Sequence, residues 1–343
     1  MVRWSLVLLV CLIFTSIRTS CADDVKLTEI RDAWQSRSAR AESLHVKFSS
    51  VRVAKPPGPG MKDADYVTMQ ESSELWFWKD KVAVEIRRDA VNAVWDPPRI
   101  RQVLNGKGGQ KLFSDRSSGT EFDNKSSGTI NPTVSEPGTY LTVNYNPLLY
   151  GYRFREKERS SFNLRDCVIQ PNNYKIGDID CLILISVSEN ESTDEVWVDP
   201  VREYIPLRIS RRSKNEVPLY QIDVHYAESK AIGFEVTGWK CTVLKDNGEL
   251  SASQTVTVEQ FDTNTAMSDS LFEMDFPPGS RVVIEGGNGP SIVDADGNIP
   301  GFSSPVFAAS NPRLSWYWFV VAGILVLAGF IAWSRRVRTS HRL

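Results

Sequence analysis

Apolar and polar positions alternate most clearly between Glu195 and Ser210. Val196 and Val198 bracket Trp197, Asp199-Pro200 interrupts, and Leu207 and Ile209 then alternate with Arg208 and Ser210. β-Branched and aromatic residues at period two predict strands, and a proline, which fixes φ and lacks an N–H, stops a ladder. The stretch therefore predicts a strand–turn–strand unit in the middle of one large antiparallel sheet. A second hairpin is predicted over Glu71–Asp89. With Lys79-Asp80 as a two-residue turn, Trp78 faces Lys81, Trp76 faces Ala83 and Glu74 faces Glu85. Leu75, Phe77, Val82, Val84 and Ile86 then share one face, with Trp76 and Trp78 on the other. A sheet wet on one side is polar there, so two tryptophans on the second face imply that something covers it.

The remaining pattern is mostly strand. Asp23–Leu44 contains neither proline nor glycine, and Val25, Ile30 and Trp34 give it a loose apolar face, which predicts a helix. His45–Val53 follows as a strand, and Lys55–Gly60 as a proline- and glycine-rich loop. Arg99–Asn105 and Gln110–Ser114 form a strand pair around Gly106–Gly109, a loop that lacks the spacing and following helix of a phosphate cradle. Arg116–Glu136 is a polar connection, and Tyr140–Tyr152 a short helix over the sheet. Cys181–Val187, Tyr220–Tyr226, Phe234–Leu244 and Gln254–Phe261 read as strands, the last two joined through Asp246-Asn247-Gly248. Asp269–Val283 is expected to be a final edge segment that its prolines keep from further pairing.

Both ends carry targeting patterns. Residues 1–22 have Arg3, an apolar run from Leu6 to Phe14, and Ser20 and Ala22 before a cut ahead of Asp23, the layout of a secretory signal. A lipoprotein signal ending at Cys21 and a first buried helix are the alternatives. Trp316–Trp333 is uncharged, and eighteen apolar residues span roughly 27 Å, close to the ~30 Å hydrocarbon layer. Aromatic residues stand at both of its ends, and Arg335, Arg336, Arg338 and Arg342 follow, which places the tail in the cytoplasm and the preceding domain outside, on the periplasmic side. The expected organisation is a signal peptide at 1–22, an exported domain at 23–285, a flexible stalk at 286–315, a transmembrane helix at 316–333 and a tail at 334–343. A sorting tail cut after export is the alternative to a permanent anchor.

Composition narrows the function without naming it. The chain of 343 residues is 41% hydrophobic and 24% charged, ordinary for a folded protein, and its net charge of −2 provides no basic surplus for nucleic acid. Removal of residues 1–22 leaves Cys167, Cys181 and Cys241, which allow one disulfide at most. Cys167 with Cys181, flanking Pro171-Asn172-Asn173, is the first pairing to consider; three buried free thiols are the alternative. Constellations for catalysis are sparse. His45, His225 and His341 lack neighbours at metal-ligand spacing, no Gly-x-Ser-x-Gly elbow occurs, and Asp294, Asp296 and Asn298 only echo a calcium loop. No cofactor is implied.

The order of elements resembles a known family. A helix leads into a long antiparallel sheet, Glu195-Val196-Trp197-Val198-Asp199-Pro200 precedes Ile205-Pro206-Leu207-Arg208-Ile209, and the domain closes on Leu271-Phe272-x-x-x-Phe276-Pro277-x-Gly279-x-x-Val282. This resembles the LolA-like lipoprotein-carrier superfamily, which includes RseB-like periplasmic regulators. The resemblance implies a mainly β (α+β) fold: an open curved antiparallel β-sheet, an unclosed barrel, with an N-terminal helix and short capping helices. It also implies a concave apolar face that takes an acyl chain, a lipid or a lipidated partner. A membrane anchor departs from the soluble carriers and favours a tethered binder or sensor. Trp76, Trp78, Trp197, Tyr220, Ile222 and Val224 are the candidate lining, ordinary core being the competing role for the tryptophans. A regulatory protein-interaction module of the RseB-like type is the alternative function, and an enzyme the third.

Overall fold

A computed structural model describes residues 25–54, 66–88, 97–105, 108–115, 121–134, 145–152, 164–188, 191–245, 247–287 and 289–300. Helix α1 covers residues 25–40 and places Leu27, Ile30, Trp34 and Arg37 on one buried face, at spacings of three, four and three residues. The chain turns at Ala41 and enters β1 (Ser43–Ala54), where Leu44, Val46, Phe48 and Ser50 point inward.

Strands β2 (Val67–Trp78), β3 (Lys81–Arg88), β4 (Arg99–Leu104), β5 (Gly109–Phe113) and β6 (Ser127–Asn131) meander away from one side of β1. A short helix, α2 (Asn146–Tyr152), separates them from β7 (Val168–Ile176), β8 (Ile179–Val187), β9 (Thr193–Asp199), β10 (Ile205–Arg212), β11 (Pro218–Ser229), β12 (Gly233–Leu244) and β13 (Leu250–Thr263). This second meander returns so that β13 pairs with the other side of β1. Two short strands, β14 (Arg281–Ile284) and β15 (Pro290–Ile292), complete the order β15-β14-β6-β5-β4-β3-β2-β1-β13-β12-β11-β10-β9-β8-β7. Among the described residues one open sheet results, and its two edge strands are far apart in that order. β1, the first strand among the described residues, is the central one. The β9–β10 hairpin lies near an edge, not in the middle as its pattern led us to expect.

Register breaks punctuate the ladders between β1 and β13 at Lys47/Phe48, between β9 and β10 at Pro206/Arg208, and between β11 and β12 at His225/Tyr226. Bulges of this kind bend a strand and raise its twist, which curves the sheet. The β2–β3 hairpin has the expected register, with Trp76 opposite Ala83, Glu74 opposite Glu85 and Trp78 opposite Lys81. Its tryptophan face is indeed covered. The chain after β13 crosses it as a single 3₁₀ turn, Asp269–Phe272, and buries Phe272 against Ala83 and Val103 beside Trp76 and Trp78. Arg101 and Asn105 donate to the carbonyls of Leu271 and Phe272 at 3.1 and 2.8 Å, and Lys81 pairs with Asp269. Further on, Phe276 lies over Gly128 so closely that an added Cβ would stand 2.2 Å from its ring.

Three segments differ from expectation. Ser127–Asn131, inside a stretch expected to be a polar loop, is β6; its single large apolar residue, Ile130, gave too little alternation to mark a strand. Arg281–Ile284 pairs twice, parallel with β6 and antiparallel with β15, because the prolines at 277 and 278 precede the strand and leave its ladder groups intact. β15 itself falls in the segment expected to be a stalk. In β7 the Pro171-Asn172-Asn173 stretch, expected to turn, is an irregularity between Gln170 and Tyr174 within one strand.

Replacing Phe272 with alanine removes the fully buried ring that holds this cover down. A loss of about 3 kcal/mol in unfolding free energy is expected, with a red shift of tryptophan emission as Trp78 loses its ring contact at 6.0 Å. Denaturant unfolding followed by fluorescence measures both, and a change below about 1 kcal/mol would show that the segment is only loosely laid on the sheet.

Candidate functional site

The inner face of the sheet is the surface the fold sets apart. Cross-strand register aligns its side chains in rows. Leu44, Phe77, Val82 and Leu104 form the row nearest α1, and Val46, Leu75 and Val84 the next. All seven are buried to within 1% of complete. Beyond β1 the apolar surface continues through Val256, Trp239 and Val224, then Cys241, Ile222 and Ile209. Near β1 the face turns polar further from α1. Glu71 and Arg88 form an ion pair at 2.6 Å with side chains 6% and 9% exposed. Gln254 donates to Ser50 Oγ at 2.9 Å and to Glu71 Oε2 at 3.1 Å, and Arg88 donates to the Pro97 carbonyl at 3.1 Å. A second inner pair joins Arg211 to Asp194 through two bonds of 2.7 and 2.8 Å. Burial pushes the Asp194 carboxyl above the usual range, while its hydrogen bonds to Arg211 and Tyr220 oppose the shift.

Among the described residues helices, rather than a second sheet, cover this face. α1 contributes Leu27, Ile30 and Trp34, and all seven residues of α2 are buried, including Leu148, Tyr150 and Tyr152. Trp34 stacks on Tyr150 with centroids 6.5 Å apart. One turn fixes α1 in place. After Asp199-Pro200 the chain passes through Glu203 and Tyr204 with φ of 50° and 54°, a conformation unfavourable for residues other than glycine. Four side chains of α1 grip that turn. Trp34 Nε1 donates to the Tyr204 carbonyl at 2.6 Å, Arg37 donates to the Glu203 carbonyl, Arg40 pairs with the Glu203 carboxylate, and Glu29 accepts from the Tyr204 hydroxyl at 3.0 Å. Arg37 also reaches the Gly151 carbonyl of α2 at 3.1 Å, so one fully buried guanidinium links both helices to the turn. Burial pulls its pKa below the usual arginine range. Asp199 supports the turn from inside the hairpin, accepting from the Val201 N–H and from Arg202 Nε.

The six residues proposed from sequence divide into two groups. Tyr220, Ile222 and Val224 stand together on the inner face. Trp76 and Trp78 are on the outer face beneath Phe272. Trp197 is outside as well, packed near Cys181 and Leu207, with the Arg208 guanidinium 5.3 Å from its ring. Strand alternation explains the split, because each tryptophan has the opposite parity to its buried aliphatic neighbours. Three inner-face groups escaped the sequence reading: Arg37, Glu71 and Arg88. The hairpin register carried a signal for two of them, since Glu71 shares parity with Leu75 and Phe77, and its partner across the hairpin is Arg88.

On the outer face His45 lies between Glu74 at 2.7 Å and Asp262 at 3.4 Å and stacks on Trp76. Glu85, opposite Glu74, is paired with Arg87 and Arg99, so the two carboxylates act as separate ion-pair partners. A hollow of about 560 Å³ on this side is lined mainly by outward residues such as Ser49, Gln70, Ser72 and Thr257. Among the described residues no cluster of His, Cys, Asp and Glu has metal-holding geometry, and no helix is long and apolar enough to cross a membrane. The signal sequence expected at 1–22 and the span expected at 316–333 lie outside the described residues. All three described cysteines are free thiols. Cys167 belongs to the inner cluster and Cys181 to an outer one, so the sheet separates the pair expected to bond.

No protein-family profile matches the chain, and no curated protein matches it significantly. Among solved structures, an outer membrane lipoprotein-sorting protein domain from Vibrio parahaemolyticus is similar at 11% identity and a TM-score of 0.42, covering 71% of this chain and 95% of that one. A LolA superfamily protein from Nitrosomonas europaea has 12% identity and a TM-score of 0.41, covering 72% and 98%. A DUF1329 family protein from Desulfovibrio piger has 10% identity and a TM-score of 0.39, covering 71% and 97%. Likenesses at this level assign the chain neither a family nor an activity. The class that the structure itself defines is a mainly β protein built on one open, curved sheet with helices over its inner face.

Burial pushes the Cys167 thiol up to about 12 and the Cys241 thiol to about 11, and raises Cys181 too. At pH 8 almost no thiolate is present on the first two, and the thiolate is the reactive form. Iodoacetamide is expected to leave Cys167, Cys181 and Cys241 unmodified in the native protein and to alkylate all three in denaturant without reductant, as read by peptide mass spectrometry. Resistance of two of them in denaturant would restore a disulfide.

Proposed function

We propose that this chain is a non-enzymatic, membrane-anchored envelope protein that holds an acyl chain, from a lipid or a lipidated partner, against the inner face of its sheet. The observation that carries the reading is the cover. A largely apolar face, buried among the described residues under two helices and not under a second sheet, can be exposed by moving the helices while every strand ladder stays paired. The LolA-like order of elements in the sequence implies the same class of cargo. The anchor expected at 316–333 would keep the domain beside the bilayer from which such cargo comes.

The inner face is filled by side chains of α1 and α2 and is not an open trough. Cargo therefore enters by displacing them, and the apolar area that the helices lose is replaced by acyl methylenes, each worth about 0.8 kcal/mol when buried. Such an exchange is close to balanced, which suits reversible loading better than permanent storage.

The test uses the full chain, delipidated and held in amphipol, titrated with cis-parinaric acid. Saturable uptake of one probe per chain, displaced by palmitate, is expected. No uptake, together with no acyl species in the native mass spectrum of freshly purified protein, would contradict a lipid-holding role; a stoichiometric protein partner recovered from solubilised membranes in its place would favour the regulatory alternative.

A further inference from the structure

The inner face is graded along the strands, and the gradient bears on the chemistry of the cargo. Following β1 from Leu44 to Ser50 covers about 20 Å. Rows across the sheet change over that distance from wholly apolar, at Leu44 and Phe77, to polar at Ser50. The row at Ser50 crosses five strands, with the apolar Val256 standing between Trp239 and the polar Ser50, Glu71 and Arg88. Ser50 and Glu71 are bonded to each other and to Gln254, and Arg88 closes the ion pair. Trp239 is the exception. Its ring is 1% exposed and packs 5.3 Å from Phe48, yet its indole N–H has no acceptor among the described residues. A buried donor without a partner is costly, and tryptophan is retained in cores where its N–H can reach an acceptor.

We infer that the inner face recognises an acyl chain by its ester or amide carbonyl, which accepts from Trp239 Nε1, while the hydrocarbon runs toward the Leu44–Phe77 row and the polar remainder of the molecule faces Ser50, Glu71 and Arg88. The inference rests on the acyl-holding role proposed above and adds the class of cargo and its orientation: an acylated amphiphile, inserted tail first toward α1, in preference to a plain hydrocarbon or an ether-linked chain. A bond from a carbonyl to a buried indole N–H of ordinary net strength corresponds to a preference of about fivefold to tenfold.

A matched pair of probes separates this from the underlying reading. Monopalmitoylglycerol carries an ester carbonyl, and 1-O-hexadecylglycerol differs by replacing that carbonyl with a methylene. Both are used to displace cis-parinaric acid from the delipidated full chain in amphipol. The ester is expected to compete about five to ten times better than the ether. In Trp239→Phe the ester should lose that advantage over the ether when the two are compared within the variant, and circular dichroism reports that the variant is folded. A second readout needs no variant: with ¹⁵N-labelled tryptophan, one indole N–H resonance should move when the ester binds and stay when the ether binds. Equal competition by both probes in the native chain, or an ester preference that survives Trp239→Phe, would overturn the inference and leave the acyl-holding role standing. Failure of both probes to displace or bind would remove the two together.

Discussion

A single open sheet of this length has two faces, and among the described residues no second sheet packs against it, so its stability depends on how each face is covered. On the inner side the solution is α1, and α1 depends on a guanidinium. Arg37 occupies a position on the helix where an apolar residue would ordinarily stand, wholly buried, and satisfies the carbonyls of Glu203 and Gly151. Burying a charge is expensive unless hydrogen bonds compensate it. Two carbonyls and the Glu203 carboxylate at 3.9 Å provide that compensation, and they come from elements distant in sequence. The helix therefore seats in one place only, and the left-handed backbone at Glu203 and Tyr204 persists because α1 holds it there.

Polar groups inside this protein are organised by the same logic. Glu71 with Arg88 and Asp194 with Arg211 are pairs that bridge neighbouring or hairpin-linked strands. Well-packed apolar residues would be at least as stabilising at such positions, so stability alone does not account for them. What they do provide is an inner face with a direction, apolar beside α1 and hydrogen-bonding beyond Phe48. An acylated amphiphile has the same polarity along its length. The outer face contrasts with this: its aromatic residues, Trp76 and Trp78, are sealed by Phe272 and are part of the scaffold.

Much of the architecture was legible in the sequence because strand parity is strict. The β2–β3 register, the need for a cover over Trp76 and Trp78, and the β12–β13 hairpin all follow from period-two alternation and turn chemistry. Segments escaped where alternation is weak or where pairing is non-local. Ser127–Asn131 shows one apolar position that matters, and Arg281–Ile284 finds its parallel partner about 150 residues earlier, which no local pattern records. The central place of β1 likewise depends on β13 returning from the far end of the domain. At the site, aromatic content drew attention to Trp76, Trp78 and Trp197, which point outward, along with the inward Trp239, while the charged members of the inner face resembled solvated residues. Arg37 was invisible for that reason. Its partners are backbone carbonyls brought together only by the fold.

In the proposed role the inner face is the cargo surface and α1 its movable cover. Hydrogen exchange of the full chain in amphipol, with and without saturating palmitate, tests this directly. Loading should raise exchange across residues 25–40 while the amides of β1, β2 and β12 stay protected. Palmitate bound at one per chain, with exchange in residues 25–40 unchanged, would contradict it, because the chain would then be holding its ligand somewhere other than beneath that helix.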